Sequence, residues 1–186
     1  IFYEFFIKYL NINKEIINQE NIIENENELI KYSNLTDNEV KLYSINLSIY
    51  LGYYLRLNDI DDKNDINNNN TEGSLRKILF EKLNKKFIKK SNVNFLVIPE
   101  KEENFIADNV ELEKGIAKNR ALLENLFSLF VAINTKIPIF ILGKPGCSKS
   151  LSVQLINNAM KGSSSNNPFF KKFPKMYVST FQGSLN

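Results

Sequence analysis

The sequence contains no histidine and a single cysteine, Cys147. Without imidazole, histidine acid–base catalysis and ordinary zinc ligation are excluded. One thiol can form neither an internal disulfide nor a Cys-rich metal site; it fits a reducing compartment without establishing one. A long uncharged apolar run is also missing. The longest, residues 42–55, is bracketed by Lys41 and Arg56 and carries Ser44, Asn46 and Ser48. That is short of the ~18 residues a membrane-spanning helix needs. Charge of one sign is missing too: Lys+Arg 24 against Asp+Glu 21 leaves +3. The balance is too even to make nucleic acid or a membrane the main partner. The opening "IFYEFFIKYL" is interrupted by Glu4 and Lys8 and lacks the basic start and small-residue cleavage site of a signal peptide. It does not begin with Met, and the chain is expected to be a piece of something longer.

What is present suits a folded protein: 43% hydrophobic and 12% aromatic residues over 186 positions are enough for a sizeable core. Residues 1 to about 57 predict helices. "IFYEFFIKYL" has an apolar face through Phe2, Phe5, Phe6, Tyr9 and Leu10, and "NINKEIINQENIIENENELI" continues it more weakly. Thr36 with Glu39 three residues on predicts a capping box, after which Tyr43, Leu47, Tyr50, Leu51 and Tyr54 recur at helical spacing. These tyrosines are read as packing residues and not as a ligand box. "NDIDDKNDINNNNTEG", about 58–73, has almost nothing to bury and reads as a disordered insertion. Its acids lack the twelve-residue calcium-loop pattern. "SLRKILFEKLNKKFIKK" then gives a basic amphipathic helix over 75–90, with Leu75, Ile78, Leu79, Leu83 and Phe87 on one side. Its other face, which includes Arg76, is read as solvated.

"VNFLVIPEKEE" reads as a short buried strand ended by Pro99, followed by a linker to Gly115. The proline and the position ahead of the glycine-rich loop argue against a magnesium-holding acidic strand. "NRALLENLFSLFVAIN" predicts a helix capped by Asn119. "KIPIFILG" predicts a strand, "SKSLSVQLINNAMKG" a helix ended by Gly162 at the usual C-terminal position, and "KMYVSTF" a further strand. Helix, strand, loop, helix, strand is the order that opens an α/β domain with a parallel sheet.

The turn between that strand and helix carries the chemistry. Gly143, Lys144, Pro145, Gly146, Cys147, Ser148, Lys149 and Ser150 follow the phosphate-binding (Walker A) pattern G-x-x-x-x-G-K-[ST], except that Ser148 stands where glycine is usual. Glycines permit the turns that aim backbone amides at a polyphosphate, and the following helix brings its positive end to the same point. Lys149 would reach the β- and γ-phosphates of ATP, and the Ser150 hydroxyl would ligate Mg²⁺. Leu151 completes the candidate set. By average usage, Gly followed six residues later by Lys-Ser or Lys-Thr arises in roughly one chain in ten of this size. Requiring Gly146 as well brings that below about one in a hundred, and the strand–loop–helix context favours the motif further. A left-handed backbone at Ser148 would cost on the order of 1–2 kcal/mol. Cys147 is read as a small space-filler.

"LEKGIAKNRALLENLFSLF", "IPIFILGKPGCSKSL" and "FQGSLN" together resemble the ATPase core of the mysterin-type giant E3 ubiquitin ligases, whose AAA+ modules stand in tandem. Serine at the sixth place of the loop is that family's own variant. The resemblance is good over 112–186; over the first part the helices are similar to the lid that closes a preceding module. It implies three parts: a lid-like helical segment at 1–90, a linker at 91–117, and at 118–186 the N-terminal part of a phosphate-loop AAA+ core, a parallel sheet with flanking helices. It further implies that Gly115, Ile116 and Ala117 wall the adenine. Hydrolysis in the parent would move neighbouring modules of the same chain, with the ubiquitin machinery as partner and a cytoplasmic location. No catalytic residue is assigned within the chain, since no Walker B acid, sensor, arginine finger or zinc module occurs in it. No nucleic-acid partner is expected, and contact with a membrane or lipid droplet has no support in the residues. Two alternatives stand beside this reading: a module that holds ATP without fast hydrolysis, and a helical interaction scaffold.

Overall fold

The computed structural model describes residues 1–20, 31–57, 75–91, 93–113 and 115–179. The chain divides into two compact units, Ile1–Glu102 and Glu103–Asn186. The Asn-rich insertion at 58–73 and the "FQGSLN" segment lie outside the described residues.

In the first unit, α1 (Phe2–Glu20) packs against α2 (Asp37–Gly52). The apolar stripe of α1 narrows to its central positions: Phe6, Tyr9 and Leu10 are buried, whereas Phe2 and Phe5 are half-buried. The tyrosines of α2 are core residues. Tyr43, Leu47 and Tyr50 are buried, and Tyr54, in a short 3₁₀ turn after the helix, stacks on Tyr50. Thr36 and Glu39 form the reciprocal capping box: Glu39 N–H donates to Thr36 Oγ1 at 3.3 Å and Thr36 N–H to Glu39 Oε2 at 2.9 Å. Hydrogen bonding from Thr36 holds the Glu39 carboxyl below its usual range. Along α3 (Leu75–Ser91), Phe87 is buried but Leu75 is exposed. Arg76 leaves the solvated face expected for it. Its guanidinium donates to the carbonyls of Leu57 (2.8 Å) and Leu55 (3.3 Å) and lies over the Tyr54 ring. These carbonyls lie past the end of α2, where no intrahelical amide reaches them.

The segment read as a short strand from Val93 to Ile98 is instead a turn that leads into a helix, α4 (Val97–Asn109). Pro99 is compatible with it because the proline falls in the first turn, where amides have no intrahelical acceptor. Asn94 accepts from Leu96 N–H at 3.0 Å in the turn just ahead of α4.

In the second unit, α5 (Arg120–Thr135) packs on α6 (Lys149–Ala159), and α7 (Pro168–Lys171) supplies aromatic rings to the core. Asn119 caps α5 as expected, accepting from Leu122 N–H at 2.9 Å. Its other end closes through Lys136 at φ 56, with Lys136 N–H bonded to Ile133 O and Ile137 N–H to Ala132 O. That is the paired Schellman arrangement, here without glycine. Asn167 accepts from the amides of Phe169 and Phe170, with Pro168 at the first helical position. Phe105, Phe130, Phe169, Phe170 and Phe173 then meet at centroid distances of 4.9–6.1 Å. Gly162 is left-handed and lies beyond the end of α6, against the backbone of Lys175.

The α/β architecture with a parallel sheet is not what the described residues form. Among the described residues the secondary structure is helical, with no strand or sheet. Residues 137–142 and 175–179 carry no regular secondary structure, and Phe140 (88%), Leu142 (90%) and Tyr177 (83%) stand open to solvent. Strand propensity describes fitness for a pleated, half-buried surface. Without a neighbour to complete the ladder, an apolar segment of this kind forms no strand.

Candidate phosphate-binding loop

The 143–150 turn connects the irregular 137–142 segment to α6. Gly143, Lys144, Pro145, Gly146 and Ser150 are exposed; Cys147, Ser148, Lys149 and Leu151 are half-buried. Two of its residues have left-handed backbones, Gly146 at φ 87 and Ser148 at φ 53. Glycine accepts that conformation freely. Serine does so at a cost, and the Ser148 hydroxyl makes no capping bond to the helix it precedes. Ser148 is nonetheless the N-cap of α6: its carbonyl accepts the helical bond from Ser152 N–H at 2.9 Å.

Lys149 turns back over the loop. Its Nζ donates to the carbonyls of Gly143 and Lys144, each at 2.7 Å. A Cβ on Gly143 would sit 3.4 Å from Cys147 Cβ, 3.6 Å from its Sγ and 3.9 Å from Lys149 Nζ. These are ordinary van der Waals distances, so a Cβ at the first place would rest against Cys147 without displacing the lysine. Cys147 is a free thiol filling the space beneath Gly143. Cys147 N–H reaches Lys144 O at 3.3 Å.

The structure adds a residue that the motif does not contain. Asn125, on α5, donates from Nδ2 to the Cys147 carbonyl at 2.9 Å. The sequence does hold a signal for it: an amide of low helix propensity interrupts a run of leucines and phenylalanines. Ahead of α5, Gly115 (φ 95) and Ala117 are exposed and Ile116 half-buried, and Lys118 pairs with Asp108.

A loop of this form offers fixed backbone amides, a helix N-terminus and one lysine whose two present acceptors are neutral carbonyls. This donor set fits an anion that draws Lys149 away from Gly143 and Lys144. For a magnesium ion it provides one ligand, the exposed Ser150 hydroxyl. No group of three or more His, Cys, Asp or Glu able to hold a metal occurs among the described residues. Nor is any described helix long and apolar enough to cross a membrane.

Comparison with known proteins bears on this region. Residues 115–186 match the family model described as the RNF213 AAA domain. The chain is 42% identical over 82 residues to the E3 ubiquitin-protein ligase rnf213-beta of Danio rerio and, to the same extent, to the E3 ubiquitin-protein ligase RNF213 of Homo sapiens. Each match covers 44% of this chain and 2% of the relative. The Mus musculus RNF213 is 38% identical over 73 residues, 39% of this chain and 1% of that protein. The chain thus spans a small fraction of the length of these curated relatives. Over residues 115–186 the chain is similar to the RNF213 AAA domain.

Proposed function

We propose that the 143–150 loop binds the phosphates of ATP, through the backbone amides of Gly143, Lys144, Gly146, Cys147, Ser148, Lys149, Ser150 and Leu151, with Pro145, which has no N–H to donate, shaping the turn, as part of an AAA+ module in an E3 ubiquitin ligase. The observation that carries this reading is Lys149: its ammonium lies 2.7 Å from two loop carbonyls at the N-terminus of α6. A phosphate oxygen is a stronger acceptor for an ammonium than a neutral carbonyl. Lys149 would exchange its loop carbonyls for the phosphates, leaving Gly143 O and Lys144 O to solvent. Ser150 would give Mg²⁺ its hydroxyl, and the ion would supply charge neutralisation to the phosphates. Gly115, Ile116 and Ala117 would contact the adenine.

In this reading residues 1–90 serve as a lid-like segment of a preceding module, 91–117 as linker, and 118–186 as the beginning of the next AAA+ module. Nucleotide turnover by the parent in the cytoplasm would act on neighbouring modules and, through them, on the ubiquitin machinery. Names of the relatives support the ligase assignment.

The test is calorimetric titration of the 186-residue chain with Mg-ATP, repeated on Lys149→Ala. Saturable binding that the substitution abolishes supports the loop assignment. Equal binding by both chains would show that nucleotide is held elsewhere.

A further inference from the structure

Asn125 lies mid-way along α5, half-buried, with Leu122, Leu126 and Leu129 of the same helix buried around it. Its Nδ2 holds the carbonyl of Cys147 at 2.9 Å. In a planar trans peptide the C=O and N–H point in opposite directions. Fixing the Cys147 carbonyl toward α5 therefore aims the Ser148 N–H away from α5. That peptide sits between the left-handed residues Gly146 and Ser148. Serine leaves the left-handed region readily, because its Cβ crowds the following carbonyl there. A rotation of the Cys147–Ser148 peptide would relieve the crowding and turn the amide away.

We infer that Asn125 is a positioning residue that locks the Cys147–Ser148 peptide so that the Ser148 amide faces a bound polyphosphate. The inference rests on the nucleotide reading above and extends it to a residue outside the loop. It assigns Asn125 no contact with the nucleotide. It also accounts for serine at the sixth place: a tether from the neighbouring helix substitutes for the conformational freedom of glycine.

The experiment is titration of the 186-residue chain and its variants with Mg-ATP. Asn125→Leu keeps the helical and apolar character of α5 but removes the donor. Asn125→Asp keeps the shape and replaces the donor with an acceptor, covering the case in which the leucine variant misfolds. Both are expected to weaken binding about tenfold, equivalent to ~1.4 kcal/mol. In a Ser148→Gly background, where left-handed backbone carries no Cβ penalty, the same changes are expected to cost threefold or less. A purely structural role for Asn125 would give the same loss in both backgrounds, and that result would overturn the inference. Wild-type-like affinity in both Asn125 variants, with Lys149→Ala inactive in binding, would overturn it while leaving the nucleotide reading intact. Absence of Mg-ATP binding by the unaltered chain would overturn both.

Discussion

Tyr9 on α1 donates its phenol hydroxyl to Glu102 Oε2 at 2.6 Å across 93 residues of sequence. Tyr32 donates to the other oxygen, Oε1, at 2.7 Å, and Lys101 lies over the Tyr32 ring. Glu102 is 1% exposed. Burial raises its carboxyl to about 7, against the opposing pull of the two phenols and the Lys101 charge. Burial, together with the Glu102 charge, also pushes both phenols well above their ordinary range.

A pH dependence of stability follows. The folded carboxyl binds its proton more tightly than the unfolded one, so the unfolded chain holds fewer protons between its ordinary value of 4.5 and about 7. The stabilisation is complete below the unfolded value and is lost as pH rises through that window. At ~1.4 kcal/mol per unit this amounts to roughly 3 kcal/mol. Glu39, whose carboxyl is lowered, acts in the opposite sense and loses its contribution as pH falls. Urea unfolding of the wild type and Glu102→Gln at about pH 5 and pH 8 separates the two. The glutamine variant is expected to show 2–3 kcal/mol less loss between these conditions, on the order set by that shift. Parallel curves for both proteins would remove Glu102 from the account.

The capping box at Thr36 is local and exposed, so its contribution is smaller. Thr36→Ala frees the amide of Glu39 and one side of the reciprocal pair, with an expected cost of ~1 kcal/mol. For a chain of this size that lowers the melting temperature by about 2–4 °C. Thr36→Ser keeps the acceptor and is expected to melt within about 1 °C of wild type, since serine caps at least as well as threonine.

What the sequence makes legible divides along the same line. Thr36–Glu39 and Asn119–Leu122 are contacts within one helical turn, and both caps stand out from residue type and spacing alone. The Gly143–Lys149 spacing likewise marks the loop because its chemistry is local. Glu102 gives no such sign, since its two tyrosine partners are 93 and 70 residues away. Asn125 is 22 residues from the carbonyl it holds. The strand assignments fail for a related reason. "VNFLVI" and "IPIFIL" have strand-like composition, but the first leads into a helix that tolerates Pro99 in its opening turn. The second has no described partner to complete a ladder. Composition reports which surface a segment could cover; the partner decides whether it does.

The core of the second unit is concentrated in its rings. Phe130 is fully buried and lies 4.9 Å from Phe173, 5.6 Å from Phe169 and 6.1 Å from Phe170. Phe130→Ala removes contacts on three sides at once and is expected to cost 3–5 kcal/mol, the order seen for buried aromatic truncations. Phe130→Leu, which refills much of the volume, should cost clearly less. The reading is the shift of the denaturant midpoint with an unchanged slope. A loss of ~1 kcal/mol or less on truncation would mean that the aromatic cluster can collapse around the gap.

Ser148 carries the last prediction because its conformation sets stability and site geometry in opposition. At φ 53 its Cβ costs about 1–2 kcal/mol, which glycine would recover. Glycine in turn adds unfolded-chain freedom of about 0.4–1 kcal/mol. Ser148→Gly is therefore expected to raise stability by up to ~1.6 kcal/mol, the difference between those two effects. Lys136, the other described non-glycine residue with positive φ, gives an internal comparison at the end of α5. Lys136→Gly should stabilise by a similar amount, for the same steric reason and at a position glycine favours. Ser150→Gly, in the first turn of α6 with no left-handed backbone to relieve, should instead destabilise by roughly 0.5–1 kcal/mol. Thermal melts of the three variants check the ordering. If Ser148→Gly falls with Ser150→Gly and away from Lys136→Gly, the left-handed backbone at the sixth loop position is not a source of strain.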